Sequence, residues 1–347
     1  MSAKKNVFVE HSLIIRYKDQ IVFTSDSHWL HPLFELEDFL KKEHIPASEI
    51  MLHDKIAGKA AACMMVYLGV RQCHIELISE RAIPVFEAAG IAYSYDEKVE
   101  HIDCRTEYLI DDGMTVDEVW LFLRKRAGRV EGLPVSMKDV SVAVESRVVL
   151  QHLNLELPKG EQLVIHGSNG TGKTTLLKAV LGLIKPVSGI IRVGDDRVGS
   201  KKWMAHRMNT AYVHQENIKN TFPIMVGEVV SIGLAGARMS ASEMAYHIEI
   251  AMRRTGCFNL LKRSYHSLSG GEKQRVSLAR CLCQHAKVLL FDEPTSFLDA
   301  EGKDDLLVLL HQLCYQEAPT ILIVSHDMGW VERLSWEKRE LRGGRLW

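Results

Sequence analysis

Apolar residues in the first 110 positions change repeatedly between strand-like and helix-like spacing. Two apolar runs at 6–24 flank the turn-prone Lys18-Asp19-Gln20, which predicts an opening pair of strands. The segments that follow have helical spacing at 31–45, 55–67 and 83–89, and the composition of a buried strand at 74–79. This alternation of helix and strand predicts a small α/β layer.

A break in the pattern separates this layer from the rest of the chain. Thr115 and Glu118 have capping-box spacing, which predicts a helix of about twelve residues that ends near Gly128. A glycine and a proline then interrupt the chain. We therefore predict a first domain at 1–128, a linker at 129–136 and a second domain at 137–347.

The second domain begins with strand patterns at 135–144 and 148–157 and soon reaches a glycine-rich loop. The short apolar run Gln162–His166 leads into a match to G-x-x-x-x-G-K-[ST], whose glycines expose successive N–H groups to phosphate oxygens. The helix that follows points its positive end at the same phosphates. The predicted phosphate-binding residues are Gly167, Ser168, Asn169, Gly170, Thr171, Gly172, Lys173, Thr174 and Thr175. Among them, Lys173 would reach the terminal phosphates and Thr174 would coordinate Mg²⁺.

A later apolar run supplies two carboxylates. The sequence VLLFDEP, which starts at Val288, is typical of a parallel strand buried on both faces, and it ends at Asp292 and Glu293. We predict that Asp292 holds Mg²⁺ and that Glu293 orients and deprotonates an attacking water. The alternative is a strand merely capped by two carboxylates, and the phosphate loop argues against it.

The sequence LSGGE precedes a segment of helical period. Ser269 and the amides of Gly270 and Gly271 would form a second anion site at a helix N-terminus. The spacing of Ser269 and Glu272 also fits a plain helix cap, which is the alternative. The expected ligand of such an anion site is a γ-phosphate held by another subunit.

The three motifs, in this order and spacing, resemble the nucleotide-binding domain of the ATP-binding cassette family over about residues 134–347. The resemblance implies an α/β P-loop NTPase cassette, with a RecA-like core, an antiparallel β subdomain and a helical subdomain at about 216–275. It also implies three further site residues: Gln215 at Mg²⁺ and the attacking water, Asp299 in the D-loop, and His326 at the γ-phosphate.

Two positions depart from the family pattern. Val144 lies where the family usually has an aromatic residue that stacks on adenine, and Phe297 lies in the D-loop where a small residue is commoner. The first change predicts weaker base stacking, and the second predicts altered packing between subunits. Neither change touches the phosphate chemistry.

The family resemblance implies partners as well. Two cassettes, here two copies of the chain, sandwich two MgATP and hydrolyse them by in-line phosphoryl transfer to water. A cassette without membrane spans most often energises a separate membrane permease. We therefore expect this chain to be cytoplasmic and peripheral on the cytoplasmic face of the cell membrane. A solute-binding protein is a further expected partner, and nucleic acid is not.

The segment at 217–233 is where a permease contact is expected, with Phe222, Pro223 and Met225 as candidate anchors. The alternative is that these three side chains pack inside the helical subdomain. Its pattern is similar to that of importers for metal ions such as zinc and manganese, and of iron-chelate importers. The alternative function is a soluble ATPase that drives an intracellular assembly or cofactor process, regulated by its N-terminal domain.

In the first domain, the run HDKIAGKAAA starts at His53, with IVFTSD upstream and IELIS downstream. On this pattern the domain, over about residues 6–110, resembles an uncharacterised family with a cytidine-deaminase-like α/β fold. Four of its polar residues are expected at a helix start, either as a cap with close packing or as part of a ligand-sensing pocket or partner surface: Asp54, Lys55, Gly58 and Lys59. Zinc deaminases need H-x-E with a downstream P-C-x-x-C. His74 and Glu76 fit the first part, and the second is absent from the sequence, which argues against deamination.

Composition sets outer limits on these hypotheses. The net charge is -1, with an acidic N-terminal third and a mildly basic remainder, far from the footprint of a dedicated nucleic-acid binder. The longest apolar stretch, at 60–70, is too short for a bilayer, which needs about 20 residues. The seven cysteines include no C-x-x-C, so we predict reduced thiols; for Cys63, Cys73 and Cys104, burial is favoured over metal binding.

Overall fold

A computed structural model describes residues 11–111, 113–213, 224–296, 298–316 and 318–347. The chain forms two compact units, Met1–Arg129 and Val130–Trp347. Among the described residues, no helix is long and apolar enough to cross a bilayer.

The N-terminal unit is a five-stranded mixed sheet with helices. Its strands are β1 (Leu13–Tyr17), β2 (Gln20–Ser25), β3 (Ile50–Ala57), β4 (Gln72–Ser79) and β5 (Ala92–Val99), and its helices are α1 (His31–Glu43), α2 (Lys59–Leu68), α3 (Ile83–Ala89), α4 (Arg105–Leu109) and α5 (Val116–Arg126). The strand order is β2-β1-β3-β4-β5. Strand β1 is antiparallel to both neighbours, whereas β3, β4 and β5 run parallel.

Large apolar side chains from helices and sheet form the core of this unit. Phe34, Phe86 and Trp120 are fully buried, and the Tyr67 ring stacks on Trp120 with centroids 4.3 Å apart. The predicted capping box of α5 is present, because the Thr115 and Glu118 side chains each bond to the other's backbone N–H. The opening hairpin turns at Lys18 and Asp19, both with positive φ.

The helix predicted over 55–67 begins four residues late. Strand β3 continues to Ala57, and Gly58, in an extended conformation, precedes the first residue of α2, Lys59. Asp54 and Lys55 therefore lie on the strand, and the prediction that they start a helix is wrong. Pairing with β1 and β4 on both sides of β3 outweighs the local helical pattern.

The C-terminal unit combines two sheets and seven helices in its described part. Its strands are β6 (Val135–Val144), β7 (Arg147–Leu157), β8 (Gln162–His166), β9 (Ser188–Val193), β10 (Asp196–Arg197), β11 (Thr210–Val213), β12 (Val288–Asp292), β13 (Thr320–Ser325), β14 (Glu337–Arg342) and β15 (Arg345–Leu346). Its helices are α6 (Lys173–Val180), α7 (Lys201–His206), α8 (Val226–Ser231), α9 (Ala241–Arg254), α10 (Gly270–Cys283), α11 (Ala300–Gln316) and α12 (Met328–Val331).

The larger sheet sets the position of the functional side chains. Its order is β11-β12-β13-β8-β14-β15, and all but the last strand run parallel. The carboxyl ends of β8, β12 and β13 therefore meet at one edge of the sheet. The smaller sheet, β10-β9-β6-β7, is antiparallel. This arrangement is the P-loop α/β core with an antiparallel β subdomain.

Candidate active site

The phosphate loop joins β8 to α6 by a route that depends on glycine. Gly172 has φ +104, and a Cβ there would lie 2.8 Å from Leu150 Cδ2. Lys173, the first residue of α6, is only 5% exposed. Its Nζ donates to the carbonyl oxygens of Gly167 at 2.7 Å and Ser168 at 3.1 Å. The ammonium group is thereby held at the mouth of the helix N-terminus, where backbone N–H groups favour anions.

The carboxylate at the end of β12 is fixed by two hydroxyl groups. Thr174 Oγ1 donates to Asp292 Oδ1 at 3.0 Å, and the Tyr212 hydroxyl donates to Asp292 Oδ2 at 2.7 Å. Burial raises the pKa of Tyr212, and the hydrogen bond to Asp292 raises it further, so this phenol stays a donor at neutral pH. Asp292 itself is 2% exposed.

Glu293 links the phosphate loop to the histidine that directly follows β13. Its Oε1 lies 3.1 Å from Lys173 Nζ, and its Oε2 lies 2.7 Å from His326 Nδ1. The backbone N–H of His326 also donates to Oε2, at 3.0 Å. Glu293 has φ +50, a left-handed conformation that costs on the order of 1–3 kcal/mol in a residue other than glycine. The backbone bond from Glu293 N–H to the Val324 carbonyl, at 2.9 Å, holds it there.

These groups open onto a cleft of about 450 Å³. Its described lining includes Asn169, Gly170, Gly172, Lys173, Thr174, Thr175, Glu293 and His326, together with Val144 and Val149. The cleft thus has a polar end that suits phosphates and an aliphatic end formed by two valines. Val144, 38% exposed, lies in the same cleft as the phosphate loop. An anion with an apolar extension fits this distribution of groups.

A second cleft of about 450 Å³ lies at the start of α10. Ser269 caps this helix: its Oγ accepts from Glu272 N–H at 3.3 Å, and Glu272 Oε2 accepts from Ser269 N–H at 2.8 Å. The second bond lowers the pKa of Glu272. Gly270, Gly271 and Asp299 line the same cleft, and Asp299 Oδ1 accepts from Gly302 N–H near the start of α11. The described residues that line this cleft and the phosphate-loop cleft form two separate sets.

Some predicted residues lie outside the described part of the chain: Gln215, Phe222, Pro223 and Phe297. Met225 is described, 46% exposed, and precedes α8. The sequence motifs do not include Tyr212, whose hydroxyl donates to Asp292. The available signal was tertiary, because β11 pairs in parallel with β12 and sets Val213 opposite Phe291.

The cysteine and histidine candidates of the N-terminal unit form no metal cluster in the described structure. Burial raises the pKa of Cys63 to about 11 and that of Cys73 to about 12, so both stay protonated and bind metals poorly. His74 lies within strand β4, its Nδ1 2.8 Å from Ser94 Oγ. Glu76 instead contacts His53, with Oε1 2.9 Å from Nε2.

Both units of the chain are similar to known protein families. A family model described as ABC transporter matches residues 150–296, and one described as a domain of unknown function (DUF1893) matches residues 2–119. The manganese transport system ATP-binding protein of Bacillus subtilis is 36% identical over 203 residues, 56% of this chain and 78% of that protein. The chain belongs to the ABC transporter ATPase family.

Further relatives of this ABC ATPase agree with that placement. The zinc import ATP-binding protein of Vibrio cholerae is 38% identical over 196 residues, 56% of this chain and 68% of the relative. The solved structure of cbiO1 from Clostridium perfringens, part of the ABC transporter complex cbiONQ, has a TM-score of 0.57 at 30% identity. It covers 61% of this chain and 86% of that one. The predicted cassette fold and the ATPase activity are confirmed.

Proposed function

We propose that this ABC ATPase binds and hydrolyses ATP in the cleft between the phosphate loop and His326, and that it energises a separate membrane permease. One observation carries the site assignment. Glu293 lies between Lys173 on one side and His326 on the other, at the edge where three parallel strands end. A carboxylate between two phosphate-facing groups is placed to hold a water against a terminal phosphate.

Each side chain then has a role in the proposed reaction. The N-terminus of α6 and Lys173 bind the phosphates, and Glu293 accepts the proton of the attacking water. His326, kept in position by Glu293, contacts the γ-phosphate. Gln215 is proposed at the metal and the water on the family resemblance alone, since it lies outside the described residues.

The donor set near Asp292 fits magnesium. The Asp292 carboxylate and the Thr174 hydroxyl are hard oxygen ligands 3.0 Å apart, and Mg²⁺ prefers such groups together with phosphate oxygens. When bound, the ion would neutralise charge that develops on the phosphates. Thr174 and Asp292 are the residues that we expect to hold it.

We infer that the complete site needs two chains. A cleft separate from the phosphate-loop cleft is lined by four residues of the LSGGE sequence and by the D-loop residue Asp299. The four are Ser269, Gly270, Gly271 and Glu272. A second copy could present that cleft to the nucleotide and close the site from the other side. The separation of the two clefts supports this arrangement.

The cargo class is proposed from the relatives. The names of two of them concern manganese transport and zinc import. We propose a metal ion or a metal chelate as the transported substrate. The contact to the permease would include the segment at 217–233. The structure describes residues 224–233 of this segment, and Met225 among them is exposed. A solute-binding protein and a position on the cytoplasmic face of the membrane follow from the same proposal.

We also propose that the first domain spans 1–128 and is joined by a linker at 129–136 to a second domain at 137–347. The division into compact units at Arg129 supports these bounds. The deaminase-like resemblance of the first domain stays a prediction. Its sheet and helices have the α/β character that the resemblance implies, and its His74 and Glu76 lie on a strand with partners of their own.

The test of the catalytic assignment is Glu293→Gln. We expect it to retain ATP binding and to lower turnover by about 10²–10⁴, because the amide cannot accept the proton. Glu332→Gln, at an exposed carboxylate of the same unit, is the matched control and should keep turnover unchanged. Single-turnover hydrolysis and nucleotide binding are measured on both. Normal turnover in Glu293→Gln would remove this residue from the mechanism.

The transport assignment has a separate test. Tagged protein is purified from gently solubilised native membranes, and co-purifying proteins are identified by mass spectrometry. A multi-span permease is the expected partner. Recovery of soluble partners alone, with an active ATPase, would contradict the proposal and favour an intracellular assembly process.

A further inference from the structure

An ion pair joins helix α11 to the turn that carries His326. Asp327, the next residue along the chain, accepts a hydrogen bond through Oδ2 from Lys303 Nζ at 2.6 Å. The Lys303 and Asp327 side chains are 30% and 24% exposed, so the contact is partly shielded from water. A charge-assisted bond of this kind is stronger than one between neutral groups. The roles assigned to the cleft residues above include His326 and leave Lys303 without a part.

Asp327 has further bonds that fix its own position. Its Oδ1 accepts from Trp330 N–H at 3.2 Å, which caps the short helix α12, and its backbone N–H donates to Ser325 Oγ at 3.1 Å. The hydrogen bond from Lys303 lowers the pKa of Asp327, and a hydrogen bond with the Thr295 side chain lowers it further. Asp327 therefore stays ionised at neutral pH and holds the backbone of this turn in one conformation.

The place of His326 in the cleft depends on that backbone. Its backbone N–H donates to Glu293 Oε2 at 3.0 Å, and its Nδ1 lies 2.7 Å from the same oxygen. The His326 side chain is 46% exposed, so packing against neighbours encloses only about half of it. A misplacement of about 1 Å in a group that positions a reactant can cost on the order of 10²-fold in rate. The turn after β13 must therefore be held firmly for the imidazole to act.

Lys303 reaches Asp327 from a fixed backbone in the first turns of α11. Its N–H donates to the Asp299 carbonyl at 3.0 Å, and its carbonyl accepts from Trp330 Nε1 at 3.3 Å. Trp330 is 2% exposed, so this second contact is buried. The side chain of Lys303 thus links the helix that begins after the D-loop to the turn that carries His326.

We propose that Lys303 is a positioning residue for His326 in ATP hydrolysis. Through Asp327 it holds the turn after β13, so that the imidazole stays beside Glu293 and faces the γ-phosphate. Lys303 is not among the described residues that line the phosphate-loop cleft, and it acts only through its ion pair. The inference rests on the proposed function of that cleft and adds to it a residue that the sequence motifs do not contain.

A second ion pair between the same two segments provides a matched control. Asp304, the neighbour of Lys303 on α11, pairs through Oδ1 with Arg333 Nη1 at 2.6 Å. Arg333 lies beyond the end of α12, at the far side of that helix from His326. Arg333→Gln therefore removes an ion pair between α11 and the α12 segment and leaves the bonds of Asp327 in place.

The first measurement is steady-state hydrolysis and nucleotide affinity of the full chain. Lys303→Met should lower kcat about tenfold and change ATP affinity by less than about twofold, because the phosphate contacts of Lys173 remain. Lys303→Arg should bring kcat back to within about threefold of the unmodified protein, since a guanidinium group also donates to a carboxylate. Arg333→Gln should change kcat by less than about twofold. Thermal unfolding is followed for each variant to show that it is folded.

The second measurement tests whether Lys303 acts through His326. Lys303→Met is combined with His326→Ala, and single-turnover hydrolysis is compared with that of His326→Ala alone. The added substitution should change the rate by less than about twofold, because residues that act as one unit have non-additive effects. A further tenfold loss in the His326→Ala background would overturn the proposal.

Two results of the first measurement would also overturn it: equal kcat values for Lys303→Met and Arg333→Gln, or a loss in Lys303→Met that Lys303→Arg does not restore. Glu293→Gln, measured in the same series, separates this proposal from the function on which it rests. Normal turnover in Glu293→Gln would mean that the catalytic site is wrongly assigned. Lost turnover in Glu293→Gln, together with unchanged turnover in Lys303→Met, would remove the positioning role alone.

Discussion

Two lysines occupy equivalent local positions in the two units. Lys59 and Lys173 are each the first residue of a helix, and each follows a glycine at the helix N-cap. They are 6% and 5% exposed. Both ammonium groups donate to backbone carbonyl oxygens, of Asp111 in one case and of Gly167 and Ser168 in the other. A strand, a glycine and a lysine at a helix start therefore occur twice in this chain.

The two helix ends differ in what already binds them. At α2, the Glu107 carboxylate accepts from Lys59 N–H at 3.1 Å and from Ser79 Oγ at 3.0 Å. At α6, Gly172 adopts φ +104, and within the described structure no side chain caps the first turn. The first helix end thus has an internal anion, and the second presents its N–H groups to the cleft. The Gly-Lys pair alone does not make a phosphate site.

The largest expected effect separates the two lysines. Lys173→Ala should weaken ATP binding on the order of 10²-fold, because a charge-assisted contact to phosphate is lost. Lys59→Met should leave ATP affinity unchanged within about twofold, since its helix end already holds Glu107. Equilibrium titration with a fluorescent ATP analogue measures both. A large loss of ATP affinity in Lys59→Met would contradict the inference that only the N-terminus of α6 binds the nucleotide.

A smaller effect concerns the internal cap. Glu107→Ala should destabilise the N-terminal unit by about 2 kcal/mol, because it leaves the buried Lys59 N–H and Ser79 hydroxyl without this acceptor. Glu118→Ala removes the exposed capping-box carboxylate of α5 and should cost about 0.5 kcal/mol. Hydrogen exchange of the α2 and α5 amides gives the local free energies. Equal costs at the two caps would mean that burial of Glu107 adds nothing.

The difference between the units also explains what could be predicted from sequence. In the ATPase unit, short motifs place chemistry at strand ends: the Gln162–His166 strand, the loop through Lys173 and the strand ending at Asp292 occur as predicted. Each motif is local, and the parallel sheet brings the strand ends together. The cassette fold follows from motif order alone.

The contacts between motifs were not predictable in the same way. The ion pair of Lys173 with Glu293 and the bond from Tyr212 to Asp292 join residues far apart in the chain. In the N-terminal unit, the hydrophobic pattern does not predict strand β5, because the residues of this strand are largely polar and exposed. There the position of Glu107 beside Gly58 decides the helix end, and a Cβ on Gly58 would lie 2.4 Å from Glu107 Oε2. No local pattern in the sequence encodes that approach.

The carboxylates of Asp292 and Asp54, each on a strand, extend the comparison to pH. Asp292 has hydroxyl donors from Thr174 and Tyr212, whereas burial raises the pKa of Asp54 on β3 to about 7. The folded-state pKa of Asp54 lies above its ordinary value of 3.8. The stabilisation that Asp54 contributes is therefore fully present below pH 3.8 and is progressively lost as the pH rises to about 7.

Asp54→Asn should therefore stabilise the protein more at pH 8 than at pH 5, by on the order of 1 kcal/mol. The amide keeps an oxygen that can accept from Ile56 N–H, as Asp54 Oδ1 does at 3.2 Å. Denaturant unfolding of both proteins at the two pH values gives the difference. A gain that is the same at pH 5 and pH 8 would show that Asp54 does not titrate in this range.

The smallest expected effect tests whether the hydroxyl donors to Asp292 strengthen Mg²⁺ binding at the ATPase site by holding the carboxylate in place. Tyr212→Phe removes the donor to Asp292 Oδ2 and leaves Thr174 on Oδ1. We expect the Mg²⁺ concentration needed for half-maximal nucleotide binding to rise about threefold, because the carboxylate is held less firmly. Tyr246→Phe, at a tyrosine that is 63% exposed, is the matched control. If Tyr212→Phe and Tyr246→Phe have the same Mg²⁺ dependence, the contact with Tyr212 is structural, and Thr174 alone positions Asp292 for the metal.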